Sequence, residues 1–77
     1  MKLVDAISQR LKNLLAERNI SQYYLYKNGG IARTTINDIV NKRNLRVSTE
    51  VIYQICSTLN ITLSEFFNDP LFENLDD

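Results

Sequence analysis

Residues 21–43 read SQYYLYKNGGIARTTINDIVNKR, and their pattern decides what the rest of the chain can be. Ser21 stands where a helix N-cap belongs, its hydroxyl free to take up a backbone N–H, and it opens a short helix over about 21–28. The pair Gly29-Gly30 ends that helix, because glycine reaches left-handed backbone angles without steric cost. A second short helix follows over about 32–41. There Ile36, Ile39 and Val40 share the i, i+3, i+4 stripe of a core-facing side. Thr34, Asn37, Asp38 and Asn41 fall on the opposite side, with Arg33 on the flank of the first turn. A short helix that is apolar on one face and carries small polar side chains and an arginine on the other has the shape and chemistry to enter a DNA major groove.

The flanking sequence supplies a scaffold for this pair. Val4, Ile7, Leu11, Leu14 and Leu15 form a helical stripe, with Arg10, Lys12, Glu17 and Arg18 read as lying away from it and Asn19 as a left-handed stop. Ile20 turns the corner before Ser21. After the central pair, 42–47 (KRNLRV) reads as a basic loop. Ser48 caps a fourth helix that runs to about Thr58, whose Ile52, Ile55, Cys56 and Leu59 share one face, and Asn60 repeats the stop used at Asn19. Thr62 and Glu65 have the spacing of a capping box, each side chain reaching for the other residue's backbone N–H. They open a short fifth helix carrying Leu63, Phe66 and Phe67, which Asp69-Pro70 closes. The division expected is a domain over 1–69 and a short acidic tail over 70–77. That tail carries Leu71, Phe72 and Leu75 among its acids.

Composition narrows the function. The 77 residues hold no histidine and a single cysteine, so an intramolecular disulfide, a zinc site and a Cys–His nucleophile all lack their parts. Cys56 reads as a small buried hydrophobe. With no phosphate-cradling glycine loop and no paired carboxylates, an enzyme is not expected, and no cofactor, metal or small-molecule ligand is either. No apolar run has the length of a signal peptide or a membrane span, so the expected address is the cytoplasm. Net charge is zero, but its distribution is lopsided. Residues 1–46 hold nine basic and three acidic residues, a net of +6, and residues 47–77 hold six acids and no base, a net of −6. A phosphate backbone responds to a local basic patch, because charges more than about 8 Å apart are largely screened at physiological salt.

Five short helices with Ser21-Gln22 opening the second and Gly30 in the turn resemble the Cro and lambda-repressor-like helix-turn-helix regulators, also called the xenobiotic-response-element family. The residues that carry the likeness are Ser21, Gln22, Leu25, Gly30, Ile31, Thr35, Ile36, Ile39 and Asn41, then Ile52, Ile55, Leu59, Asn60, Ile61, Thr62, Phe66 and Phe67. The resemblance implies a compact all-α five-helix domain with its helix-turn-helix at helices two and three. It implies a sequence-specific regulator of transcription, a repressor, that binds double-stranded DNA. By position, Arg33, Thr34, Asn37 and Asp38 are then the candidates for base contacts. Gln22, Asn41, Lys42, Arg43 and Arg46 are the candidates for phosphate contacts. A homodimer through the fifth helix and the C-terminal tail is expected, since one domain offers one recognition helix and relatives read two half-sites. The competing reading is a protein-interaction module, an antitoxin or adaptor, on the same fold. For Asp38, a pair with Lys42 at i, i+4 competes with a base contact.

Several positions depart from the family's usual pattern. Leu15 and Val40 stand where many members have an arginine–glutamate pair, so both charges have been exchanged for apolar side chains together. Tyr26 replaces a usual alanine and Gly29 a usual leucine, an exchange that can conserve volume. Ala32 replaces the usual serine cap of the recognition helix. Lys42 replaces the glycine after Asn41, so the helix stop is expected to shift onto Asn41.

Overall fold

The computed structural model describes residues 1–43 and 46–77. Its helices are α1 (Leu3–Arg18), α2 (Gln22–Gly29), α3 (Arg33–Val40), α4 (Thr49–Leu59) and α5 (Leu63–Phe67), followed by a 3-10 turn over Pro70–Phe72. The middle of the basic loop expected over 42–47, positions 44 and 45, lies outside the described residues. The expected all-α architecture is the one observed, with all five helices within two residues of where the sequence puts them.

Helix boundaries follow local chemistry. Ser21 and Ser48 accept from Tyr24 N and Val51 N, capping α2 and α4. Thr62 accepts from Glu65 N while Glu65 Oε1 accepts from Thr62 N, both at 3.0 Å, completing the capping box of α5. Those bonds hold the Glu65 carboxyl below the usual carboxylate range. Asn19 and Asn60 sit at φ 54° and 60°. The residue after each, Ile20 or Ile61, donates to the carbonyl five positions back at 2.9 Å, the Schellman closure that satisfies the last carbonyls of a helix.

The end of α3 differs from expectation. Asn41 stays near helical angles at φ −94°, and Lys42 takes the left-handed conformation at φ 58°. Lys42 N then donates to Ile39 O at 3.2 Å and Arg43 N to Asp38 O at 2.8 Å, the same closure as at Asn19 and Asn60. Asn41 is held back because its side-chain amide is engaged with Asn37, donating to the backbone oxygen at 2.8 Å and to Oδ1. A lysine therefore occupies the position glycine usually fills, at a cost of about 1–2 kcal/mol.

Ile7, Leu11, Leu14, Leu15, Leu25, Ile31, Ile36, Ile39, Ile52, Ile55, Cys56, Leu59 and Phe66 make one apolar core, with Val40 packed against it. Leu15 and Val40, the two aliphatic stand-ins for an ion pair, both belong to that cluster. Such a replacement leaves no buried charge to satisfy. Ser8, fully buried on α1, donates to Val40 O at 3.2 Å and so ties α1 to the end of α3. Burial pushes the Cys56 thiol pKa up, against the opposing field of Arg10, and keeps the thiol protonated and inert.

Gly29 has a reason other than the turn. It is the last residue of α2, and only Gly30 takes a left-handed φ, at 66°. A Cβ on Gly29 overlaps Thr58 Oγ1 of α4 and comes to 3.3 Å from Ile31 Cδ1. The space a leucine fills elsewhere is thus taken by α4 and Ile31. Gly29→Ala should lower stability by about 1–3 kcal/mol. Adding Thr58→Ala, which removes the Oγ1, should restore most of the loss. Urea denaturation of the two single variants and the double variant measures the coupling, and purely additive losses contradict the close approach.

Candidate nucleic-acid interface

Helix α3 is built to present one face. Ile36 and Ile39 point into the core, and Arg33, Thr34, Asn37 and Asn41 stand exposed on the other side. Its N-cap, Ala32, makes no side-chain cap bond, so the first backbone N–H groups of α3 gain no partner from it. Asp38 is half-buried on the flank. It forms no ion pair with Lys42, because Lys42 has already left the helix and the i, i+4 relation does not hold there. Asn37 and Asn41 act as a linked pair, Asn41 Nδ2 donating to Asn37 Oδ1. That bond leaves both hydrogens of the Asn37 amide nitrogen available.

Helix α2 lies against α3 and α4 and brings Gln22, its first residue, to the same side through Tyr26. The Tyr26 hydroxyl donates to Gln22 Oε1 at 3.2 Å, and the Arg33 guanidinium carbon lies 5.2 Å from the centre of the Tyr26 ring. Tyr26 itself is half-buried. Neither link was anticipated from the sequence. The i, i+4 spacing of Gln22 and Tyr26 is a readable signal for the first, but the second depends on how α2 and α3 cross.

Charge collects around this face. Lys27, Arg33, Lys42, Arg43 and Arg46 are all exposed. Two other bases of the N-terminal half are spent elsewhere. Arg10 is half-buried and reaches the end of α5, where it bonds Phe66 O, Glu65 O and Asp69, which corrects its reading as a residue away from the packed stripe. Arg18 donates to Leu59 O at 2.9 Å. Of the seven exposed bases of the N-terminal half, five (Lys27, Arg33, Lys42, Arg43 and Arg46) lie on α2, α3 and the segment after it, and the other two, Lys2 and Arg18, lie at the two ends of α1. Exposed Tyr23 and Tyr24 border the patch, with Lys27 Nζ 6.0 Å from the Tyr23 ring centre.

A family model for the Cro/C1-type helix-turn-helix DNA-binding domain matches residues 10–70, most of the chain. The chain belongs to that family. The crystal structure of the prophage Lp1 protein 11 is similar to it over nearly its whole length. That protein shares 25% sequence identity and a TM-score of 0.83, with 97% of this chain and 100% of that one covered. Among curated proteins, none matches the sequence significantly.

Membership in the Cro/C1-type family makes α2 and α3 the helix-turn-helix of a DNA-binding regulator. The matched segment begins at Arg10 and ends at Pro70, so it contains all nine candidate contact residues. Tyr26 links half-buried Gln22 to Arg33 at the start of α3, where Arg33, Thr34, Asn37 and Asn41 are exposed, and exposed Lys42, Arg43 and Arg46 follow in the chain. Asp38, on the flank and half-buried, is less open than the rest.

Proposed function

We propose that this chain is a sequence-specific repressor that reads duplex DNA in the major groove with α3 and binds as a homodimer in the cytoplasm. The observation that carries the reading is the two-faced α3, with Arg33, Thr34 and Asn37 exposed opposite Ile36 and Ile39 and four further exposed cations, Lys27, Lys42, Arg43 and Arg46, on α2 and after α3. In this account Arg33, Thr34, Asn37 and Asp38 meet base edges. The arginine fork matches guanine O6 and N7, the threonine methyl suits thymine, and a carboxylate accepts from cytosine N4. Gln22, Asn41, Lys42, Arg43 and Arg46 hold phosphates and fix register. Repression needs nothing further of the chain, since a protein bound to its site excludes others from it. For the dimer, Leu63, Phe67 and Leu75 retain 36%, 38% and 36% of their surface exposed on α5 and the C-terminal run. Phe66 is fully buried and plays no part in that surface.

The two classes of contact separate experimentally. Arg33→Ala should cost about 1–3 kcal/mol on the preferred site and relax the preference at one base position. Arg46→Ala should weaken every duplex alike and flatten the dependence of log K on log salt by about one unit. Fluorescence anisotropy on a preferred and a scrambled duplex across a salt series measures both. An Arg33→Ala variant that keeps its base preference, or an Arg46→Ala effect confined to one sequence, contradicts the assignment.

A further inference from the structure

We propose that Tyr26 is the positioning residue of the reading face, its ring orienting Arg33 toward a base while its hydroxyl orients Gln22 toward a phosphate. The proposal rests on the DNA-reading function above and deepens it. A guanidinium has two separate uses. Its flat face stacks on an aromatic ring, and its edge carries the N–H donors that pair with guanine. The Arg33 carbon lies over the Tyr26 ring, 5.2 Å from its centre, and among the described residues no hydrogen bond or ion pair takes up its N–H donors. Gln22 is treated in the complementary way. Its Oε1 is taken by the Tyr26 hydroxyl at 3.2 Å, which leaves the Nε2 donors for another partner, the polarity a phosphate oxygen requires. One half-buried side chain thus engages half-buried Gln22 and exposed Arg33 together and leaves donors on both. It sets the spacing between a base contact on α3 and a phosphate contact on α2. An alanine at position 26 offers neither the ring nor the hydroxyl, so this coupling belongs to the tyrosine.

The test uses Tyr26→Phe and Tyr26→Leu, each alone and combined with Arg33→Ala. Binding is measured to the preferred duplex, to the same duplex changed at the base position that Arg33 governs, and to an unrelated duplex. Tyr26→Phe keeps the ring and should keep the base preference, losing about two- to fivefold in affinity on all three duplexes as Gln22 is released. Tyr26→Leu should also reduce the preference at the Arg33-governed position about two- to fivefold, the range expected of an exposed cation–π contact. In the Arg33→Ala background Tyr26→Leu should leave the remaining preference unchanged. A second readout needs no DNA. In the free protein the Arg33 δ-protons should show an upfield ring-current shift that survives Tyr26→Phe and disappears in Tyr26→Leu. Retention of the full base preference by Tyr26→Leu overturns the proposal, as does an equal loss with and without Arg33. If the wild-type chain prefers no duplex although the Arg33 protons are shifted, the DNA-reading function fails and the positioning role falls with it. Selective wild-type binding with an indifferent Tyr26→Leu overturns the positioning role alone.

Discussion

Arg10→Ala is expected to remove about 3–5 kcal/mol of stability, from a domain whose total is on the order of 4–12 kcal/mol at this length. The side chain is 12% exposed and crosses from α1 to the end of α5. Its Nε donates to Phe66 O at 2.8 Å, Nη2 to Glu65 O at 2.9 Å and Nη1 to Asp69 Oδ2 at 3.1 Å. Helix α5 has five residues, too few to stand without tertiary support, and its last carbonyls have no partners within the helix. Arg10 supplies those partners with a positive charge at the negative end of the helix dipole. Its removal takes a donor from Phe66 O and from Glu65 O, which keeps only the 3.4 Å bond from Asn68 N, and takes the counter-charge from an Asp69 carboxylate of 22% exposure that keeps Leu71 N. Lysine offers one compact charge where arginine offers a fork, so Arg10→Lys should recover only part of the loss. Asp69→Asn, which leaves both carbonyl bonds in place, should cost less than Arg10→Ala. Urea denaturation orders the three variants. A loss below about 1 kcal/mol for Arg10→Ala, the value of an exposed ion pair, contradicts this role.

Ending the chain after Asp69 should lower stability by about 2–4 kcal/mol, because the acidic C-terminal run is part of the packed structure. Pro70–Phe72 lies against α1. Phe72 meets the Phe67 ring edge-on at 5.0 Å between centres and lies 6.2 Å from Phe66. Further on, Asp77 Oδ1 accepts from Leu3 N at 2.7 Å, Asp76 N donates to Met1 O, and the Met1 amine pairs with the Asp76 carboxylate. Asp77 thereby caps α1, which Lys2 does not. A fully buried Phe→Ala change costs about 3–5 kcal/mol, and half-buried Phe72 accounts for roughly half of that, with the terminal bonds adding to it. The loss should be the same at every protein concentration, since it comes from packing within one chain. A loss that appears only where full-length protein self-associates assigns the run to the dimer instead. A truncated chain as stable as the full one contradicts the packing.

The contrast between these residues and the caps explains what the sequence made legible. Ser21, Ser48, Thr62 with Glu65, Asn19 and Asn60 act on backbone groups within five positions of themselves, so their residue type and spacing are enough. The core faces of α3 and α4 were equally legible, because Ile36, Ile39, Ile52 and Ile55 repeat with the period of a helix. Arg10 was not, since its partners lie 55 to 59 positions away and its place in the α1 pattern looks solvent-facing. Gly29 suggested a turn, and its reason is Thr58 on another helix. Lys42 broke a residue preference because Asn41, the better left-handed residue, had its side chain tied to Asn37. At the interface, the order of polar residues along α3 identified the exposed face. The link from Tyr26 to Arg33 needed the crossing of α2 and α3, which no local pattern encodes.

The central claim, that α3 reads base edges with Arg33 at its front, is tested most directly by selecting bound sequences from a random duplex pool with the wild-type chain and with Arg33→Ala. The account predicts that the wild type enriches a compact motif, repeated with two-fold symmetry about one helical turn, roughly 34 Å, apart. It predicts that Arg33→Ala enriches the same motif with one position per half-site relaxed. A wild-type pool without an enriched sequence, or an Arg33→Ala motif identical to the wild-type one, contradicts it.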